Sequence, residues 1–477
     1  MRDTANRLMT LLLMIGVSGC MTTRERIARY GLAVSNGRYQ EAAQVVSDAA
    51  HSGTNDGLCW QLHKGSALAL QGELEASTQT FDAAEDAYWN RDETSAVVRG
   101  TEHGVALLLN DAAYPYTGSG YERIFCSLYK ALNYAALGDR NAARVEFNRA
   151  GERQTRYFEE RTHEIQKEER TLQDNLTRNE NRGAGGLSQN ILASGALGQQ
   201  IQQKCGYDYD LSQSPEAILG MLAARDFYNA YAGHARAVFR MLDGDSAWGD
   251  FKQVAAICPD IRMVGRDTAD FRSGAAPQHQ VWVYVEDGLC PVREETRIDL
   301  PLGLIPYQNH ILYTGMALPY LIYRPEASDH YTVGSAREQR EMELLLDVDR
   351  LVKTEFDIRF HGVVAREVAR LVIRSLPQIA LEEAARHDRQ NADYYRLGKV
   401  LSVGFNLATI KADLRLWSGL PKRVYGQRLT FTPGEPIKVG TRYGDIEIPM
   451  PAECVNAMVI VKKPAAIAAP VVTIIPF

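Results

Sequence analysis

Between residues 24 and 150 apolar residues recur three and four positions apart, the spacing that gathers side chains on one face of a helix. A chain of helices is predicted there. Residues 152–182 then carry dense mixed charge, with Phe158, Ile165 and Leu172 each one heptad from the next. That pattern predicts a long charged helix over 151–182 with a thin apolar seam. The glycine-rich run 183–198 has too few large side chains for a core of its own, so 183–204 is expected to be a mobile loop. Helical spacing resumes at Pro215, with Asn229 opening a helix through Met241 and a turn at 243–246 leading to another over 248–256. Residues 205–272 therefore read as further helical hairpins. Beyond Pro277 the period shortens towards two, predicting strands at 280–286, 296–300, 309–313, 320–323, 423–430, 437–441, 446–448, 455–462 and 471–475. Within this β-rich region, 273–477, a helical insertion is expected around 348–411, with Pro377 as a break or kink.

The front helices carry a repeat. Gly37, Gly72 and Gly138 each open a similar phrase, followed by Ala42, Val46 and Ala49, by Ser77, Phe81 and Ala84, and by Ala143, Phe147 and Ala150. The glycines are 35 and 66 residues apart, close to one and two periods of the roughly 34-residue tetratricopeptide repeat, which these phrases resemble. A degenerate copy is placed around 100–110. The expected fold class is α+β: a tetratricopeptide-like α-solenoid over 20–150, followed after 273 by a sandwich-like β-domain with inserted helices.

Ahead of the helices, Arg2 and Arg7 precede an apolar run over 8–17, the order of a secretory signal. Ten residues are too few to span a bilayer as a helix, which takes about 20. The run ends in Val17-Ser18-Gly19-Cys20, which resembles a bacterial lipobox. On that resemblance 1–19 is a signal peptide and Cys20 is the residue that accepts lipid. Three acyl chains anchor a protein stably, since two already suffice. Met21 follows Cys20 where an Asp tends to hold lipoproteins at the inner membrane, so the expected location is the outer membrane, lipid-anchored, on its periplasmic side.

Composition narrows the chemistry. The chain has 53 Lys and Arg against 59 Asp and Glu, a net charge of −6, and no global positive field to draw in nucleic acid. The cysteines beyond Cys20 are 59, 126, 205, 258, 290 and 454, none in a C-x-x-C pair, and they read as buried thiols or one or two bridges. No phosphate loop, H-E-x-x-H helix or G-x-S-x-G elbow occurs, so no enzyme, cofactor or metal is expected. His310, His330 and His361 read as surface or satisfied core residues, and Asp347 with Asp349 as a solvated pair that would share one face of a strand. Asp243 and Asp245 lack the distal Glu of a calcium loop and read as a helix turn. Asp413, Arg415 and Trp417 read as a buried ion pair capped by the indole, locking the helical insertion to the second group of strands. Tyr121, Phe125 and Tyr129, four residues apart, form one stripe that is the candidate partner groove, with helix core as its competing reading.

Three phrases point to a family. They are Tyr121-Glu122-Arg123 with Ala131-Leu132-Asn133-Tyr134 and Ala143-Arg144-Val145-Glu146, then the run 286–295 (EDGLCPVREE), then 413–421 (DLRLWSGLP). In this order behind a lipobox, they resemble an uncharacterised family of bacterial outer-membrane lipoproteins with tetratricopeptide-like repeats, departing from its pattern at Cys290 and Leu416. The resemblance implies location and build and carries no catalytic residue. The expected function is a lipid-anchored scaffold or adaptor that binds a cell-envelope protein through its helical groove. The alternatives are an enzyme or carrier for an envelope polysaccharide or lipid, using the cleft between the halves, and a structural subunit of an envelope complex.

Overall fold

The computed structural model describes residues 21–51, 53–98, 111–157, 159, 191, 195–206, 226–274, 277–299 and 315–477. The expected signal peptide with Cys20, the expected degenerate copy around 100–110, nearly all of the predicted charged helix beyond 157, the predicted strand at 309–313 and His310 lie outside them. The fold is α+β, with helices and several sheets in one chain.

Helices α1 (Thr23–Ser35), α2 (Tyr39–Ser47), α3 (Gly57–Gln71), α4 (Leu74–Val98) and α5 (Gly120–Ala136), then α6 over 140–157, form three hairpins. Each hairpin turns on one of the predicted glycines, Gly37, Gly72 and Gly138, whose φ values of 71°, 82° and 85° no side chain with a Cβ adopts without strain. The small residues behind the turns, Ala42, Ser77 and Ala143, are buried together with Phe81 and Phe147. Helix α1 starts on a reciprocal cap, the Thr22 hydroxyl accepting from the Glu25 amide and the Glu25 carboxylate from the Thr22 amide. After α7 (Gly195–Cys205), helices α8 (Ala230–Leu242), α9 (Trp248–Ile257) and α10 (Arg262–Arg272) continue the stack, with Asn229 capping α8 as its sequence predicts.

The back half holds β1 (Gln280–Asp287), β2 (Val292–Asp299), β3 (Gly315–Ile322), β4 (Tyr331–Gly334), β5 (Gln339–Glu341), β6 (Glu343–Asp347), β7 (Arg423–Thr430), β8 (Ile437–Thr441), β9 (Gly444–Ile448), β10 (Ala457–Lys463) and β11 (Val471–Pro476). They form a five-stranded sheet ordered β11-β10-β1-β7-β6, a four-stranded sheet ordered β5-β4-β8-β9, and the pair β2-β3. Only β1 and β10 run parallel in the five-stranded sheet. Strands β4, β5 and β6 escaped the sequence reading, because short segments of mixed polarity leave little period-two signal.

Strand β1 is buried on both faces. Val281, Val283 and Val285 join Val459, Val461, Val333 and Val439 in a core between the two sheets. Trp282 and Tyr284, with Met458 and Ile460 beside them, enter a core shared with α3, α4, α5, α8 and α10. Helices, five-stranded sheet and four-stranded sheet thus form successive layers: α3, α4, α5, α8 and α10 share a core with the sheet, while α1, α2 and α3 also pack a smaller cluster of their own.

Two expectations need correction. The mobile loop predicted over 183–204 contains the helix Gly195–Cys205, whose Leu197 and Ile201 are buried against Ile298, Met316, Phe356 and Val364. Two large side chains suffice because β2, β3 and the following helix supply the rest of that core. Pro377 does not end its helix: α11 runs unbroken as Val348–His387, and α12 (Ala392–Thr409) returns alongside it.

Candidate functional site

After α12 the chain runs through residues 410–422 as a strap between the helices and the sheet. Its start is apolar, Ile410, Ala412 and Leu414 packing on Ala317 of β3. Arg415 is then gripped on all sides. Its guanidinium reaches Asp413 through two bonds of 2.8 Å, Asp56 at 2.8 Å, and the carbonyls of Tyr114 and Asp111 at 2.7 and 3.0 Å. Trp417 follows as a fully buried anchor, 5.7 Å from the Phe81 ring and 5.8 Å from the Tyr129 ring, its indole N–H donating to Ser66 Oγ at 3.0 Å. At Gly419 a Cβ would stand 2.7 Å from Tyr30 Oη, so any larger residue must displace the buried tyrosine.

Backbone groups of the strap are satisfied by buried side chains. The Trp417 amide donates to Glu122 at 2.8 Å, and the same carboxylate accepts from Tyr116 Oη at 2.7 and 2.6 Å and from the Ser119 amide at 2.9 Å. Burial raises the Glu122 pKa, and these donors oppose the rise. His63 Nδ1 lies 2.7 Å from the Cys59 carbonyl, which can only accept, so Nδ1 carries the proton. Its Nε2 then accepts from the Ser418 amide at 3.1 Å and hydroxyl at 2.9 Å. Burial lowers the His63 pKa to about 4, so the ring is neutral. Arg324 donates to the carbonyls of Cys290, at 2.7 Å, and Ser418. The Leu420 carbonyl accepts from the Cys290 amide at 2.9 Å.

The stripe proposed as a partner groove is part of this core. Tyr121, Phe125 and Tyr129 are 1%, 0% and 3% exposed. Tyr129 Oη donates to Glu286 at 3.0 Å, Tyr231 donates to the other oxygen at 3.1 Å, and Lys462 pairs with the same carboxylate at 3.1 Å. The correction has a simple cause: the helix face that would meet a partner meets Trp417 and β1 of its own chain. That helix face is covered by the chain itself.

Comparison of the chain with family models, with curated proteins and with solved structures finds no match. The three phrases singled out in the sequence lie together here, the Trp417 amide on Glu122 and the Cys290 amide on the Leu420 carbonyl. Glu122 holds Trp417, Glu286 holds Tyr129, and Asp287 accepts from the Ala327 and Ser328 amides at 3.0 Å and from Tyr331 Oη at 2.6 Å.

The remaining candidates are scattered. Cys20 and His310 lie outside the described residues. His330 is largely exposed, 3.7 Å from Glu341, and His361 is half-buried, its pKa lowered by desolvation. Asp347 and Asp349 do not share a strand face: Asp347 caps α11 through the Arg350 amide and pairs with Arg423 at 3.4 Å, and Asp349 pairs with the buried Lys422. Asp243 and Asp245, in the turn after α8, both pair with Arg144 of α6. The Asp413–Arg415 pair is buried as expected, but Tyr116, not Trp417, covers its guanidinium, and the lock is to the front helices. The six cysteines from Cys59 to Cys454 are unbridged, and no metal-binding cluster occurs among the described residues.

Sequence reasoning missed His63 and a second buried set. His234 donates from Nε2 to Asp267 and accepts at Nδ1 from Tyr284 Oη, both at 2.9 Å, and Asp267 also accepts from Trp282 and pairs with Arg428 at 2.8 Å. The set resembles a catalytic relay in composition alone. His234, Asp267 and Tyr284 are all buried, so it joins α8, α10 and the sheet. No spacing signal marks it.

Proposed function

We propose that this chain is a lipid-anchored scaffold on the periplasmic side of the outer membrane, built from tetratricopeptide-like hairpins and a sandwich-like pair of sheets. It holds a cell-envelope protein on its outer surface. One observation carries the reading: the N-cap of α1 is Thr22, two residues after the cysteine of the lipobox-like sequence. A lipid on Cys20 holds such a body against the membrane with no slack, in one orientation, which suits a platform for a neighbour. The filled groove moves the partner surface outward. Because the strap bonds the helices to the sheet from within, the partner is sought with the whole chain rather than with residues 24–150 removed.

The test is labelling with radioactive palmitate, followed by membrane fractionation and crosslinking in the envelope. The wild type takes up label, sediments with outer membrane and crosslinks to a discrete envelope protein; Cys20→Ala loses the label and the crosslink. Label-free wild type, or a cytosolic location, ends this reading.

A further inference from the structure

Helix α12 is amphipathic the wrong way round for water. Its inward face is polar, with Lys399 bonded to Glu382 of α11 at 2.9 Å and Asn406 donating to the Arg374 carbonyl at 3.3 Å. Its outward face is Tyr394, Leu397, Leu401 and Phe405, between 58% and 64% exposed, flanked by Val400 and Leu407. These positions recur at three and four residues and make one continuous stripe. Between 397 and 410 the only ionisable residue is Lys399, and it is turned inward.

We propose that the outer face of the α11–α12 hairpin is a lipid-binding surface that lies flat in the headgroup region of a phospholipid bilayer. Three observations select lipid over protein. The exposed positions from Leu397 to Leu407 offer no side-chain donor or acceptor, whereas protein interfaces carry about one hydrogen bond per 100–200 Å². Placing polar groups between the two helices and apolar groups outside is the arrangement an apolar solvent favours. The C-terminal end of the stripe is also joined through β2 to the start of α1: Glu294 pairs with Arg24 of α1 at 2.8 Å, Glu295 accepts from the Ala412 amide at 2.9 Å, and Arg297 reaches the Leu407 carbonyl at 3.2 Å.

The depth follows from length. Eleven residues of helix span about 16 Å, against the roughly 30 Å of a hydrocarbon core, and no described helix is long and apolar enough to cross a membrane. The hairpin tip carries Arg386, Arg389, Asp393 and Arg396, which belong at headgroup level. The surface therefore sits on one leaflet. It deepens the proposed anchoring by giving the tethered body a second membrane contact.

The experiment is flotation of the unlipidated chain 21–477, which contains every described residue, with phosphatidylethanolamine–phosphatidylglycerol vesicles. The chain floats with the vesicles. Leu397→Glu, Leu401→Glu and Phe405→Glu combined reduce the floated fraction on the order of tenfold or more, at an unchanged thermal midpoint; Leu401→Glu alone gives an intermediate loss and guards against misfolding of the triple variant. Absence of flotation, or equal flotation of the variants, overturns the proposal. So does a dimer in sedimentation that these substitutions split without any vesicle binding, since the occupant is then a second copy. Cys20 is absent from this chain, so the outcome is independent of palmitate labelling.

Discussion

At the residue scale, Trp417 and the groups around it carry the most consequence. Truncating a fully buried indole between Phe81 and Tyr129 removes its packing and leaves Ser66 without a donor. Trp417→Ala is expected to cost about 3–5 kcal/mol, read as a lower urea midpoint at constant slope. Gly419→Ala drives a methyl onto the Tyr30 hydroxyl, 2.7 Å away, for about 1–3 kcal/mol. The penalty shrinks in a Tyr30→Phe background, and a penalty of equal size there contradicts the contact. His63 gives a pH signature. Its folded pKa of about 4 lies below the ordinary 6.5, so between these values the unfolded chain binds the proton and the folded one does not. Stability is therefore complete above about 6.5 and falls as pH drops towards 4, by on the order of 3 kcal/mol from this residue. Glu122 acts oppositely, its raised pKa weakening the fold as pH climbs above 4.5. Comparing wild type with His63→Gln isolates the histidine: the variant's urea midpoint loses part of its slope between pH 4 and 6.5.

At the element scale, the strap behaves as a bound peptide that is part of the chain. Its buried, satisfied backbone predicts that amides of residues 414–420 exchange with deuterium only through global unfolding, while the tip of the α11–α12 hairpin exchanges by local opening. Mass-spectrometric exchange decides this, and fast exchange in the strap would mean that the groove opens. Helix α7 shows the same logic in reverse. Its sequence holds only Leu197 and Ile201 as large inward residues, and α11 with β2 and β3 completes their burial. The polar inward face of α12 is set by Glu382 and the Arg374 carbonyl on its neighbour, which no reading of α12 alone supplies.

At the scale of the whole molecule, one core runs from the front helices to β1 and β10. The protein should therefore unfold in a single transition by circular dichroism and tryptophan fluorescence alike. Residues 277–477 alone should lack native secondary structure, because Trp282, Tyr284, Met458 and Ile460 would face water. A folded isolated back half would show that the two regions are independent after all.

What the sequence determined by itself was local. The hairpin turns at Gly37, Gly72 and Gly138 were legible because a left-handed turn wants glycine and a packed helix face wants apolar residues at three and four. Strands β1 and β10 were legible from their β-branched residues. Tertiary structure alone decided which face met what. Trp417 meets Glu122 across 295 positions, and no periodicity links residues so far apart. For that reason the stripe at Tyr121, Phe125 and Tyr129 was visible as a stripe, while its partner, the chain's own strap, was not. The same holds for His63 and His234, whose roles depend on a serine and a carboxylate delivered by distant segments. Sequence periodicity reports the polarity of each face; only the folded chain reports whether water, lipid or protein lies against it.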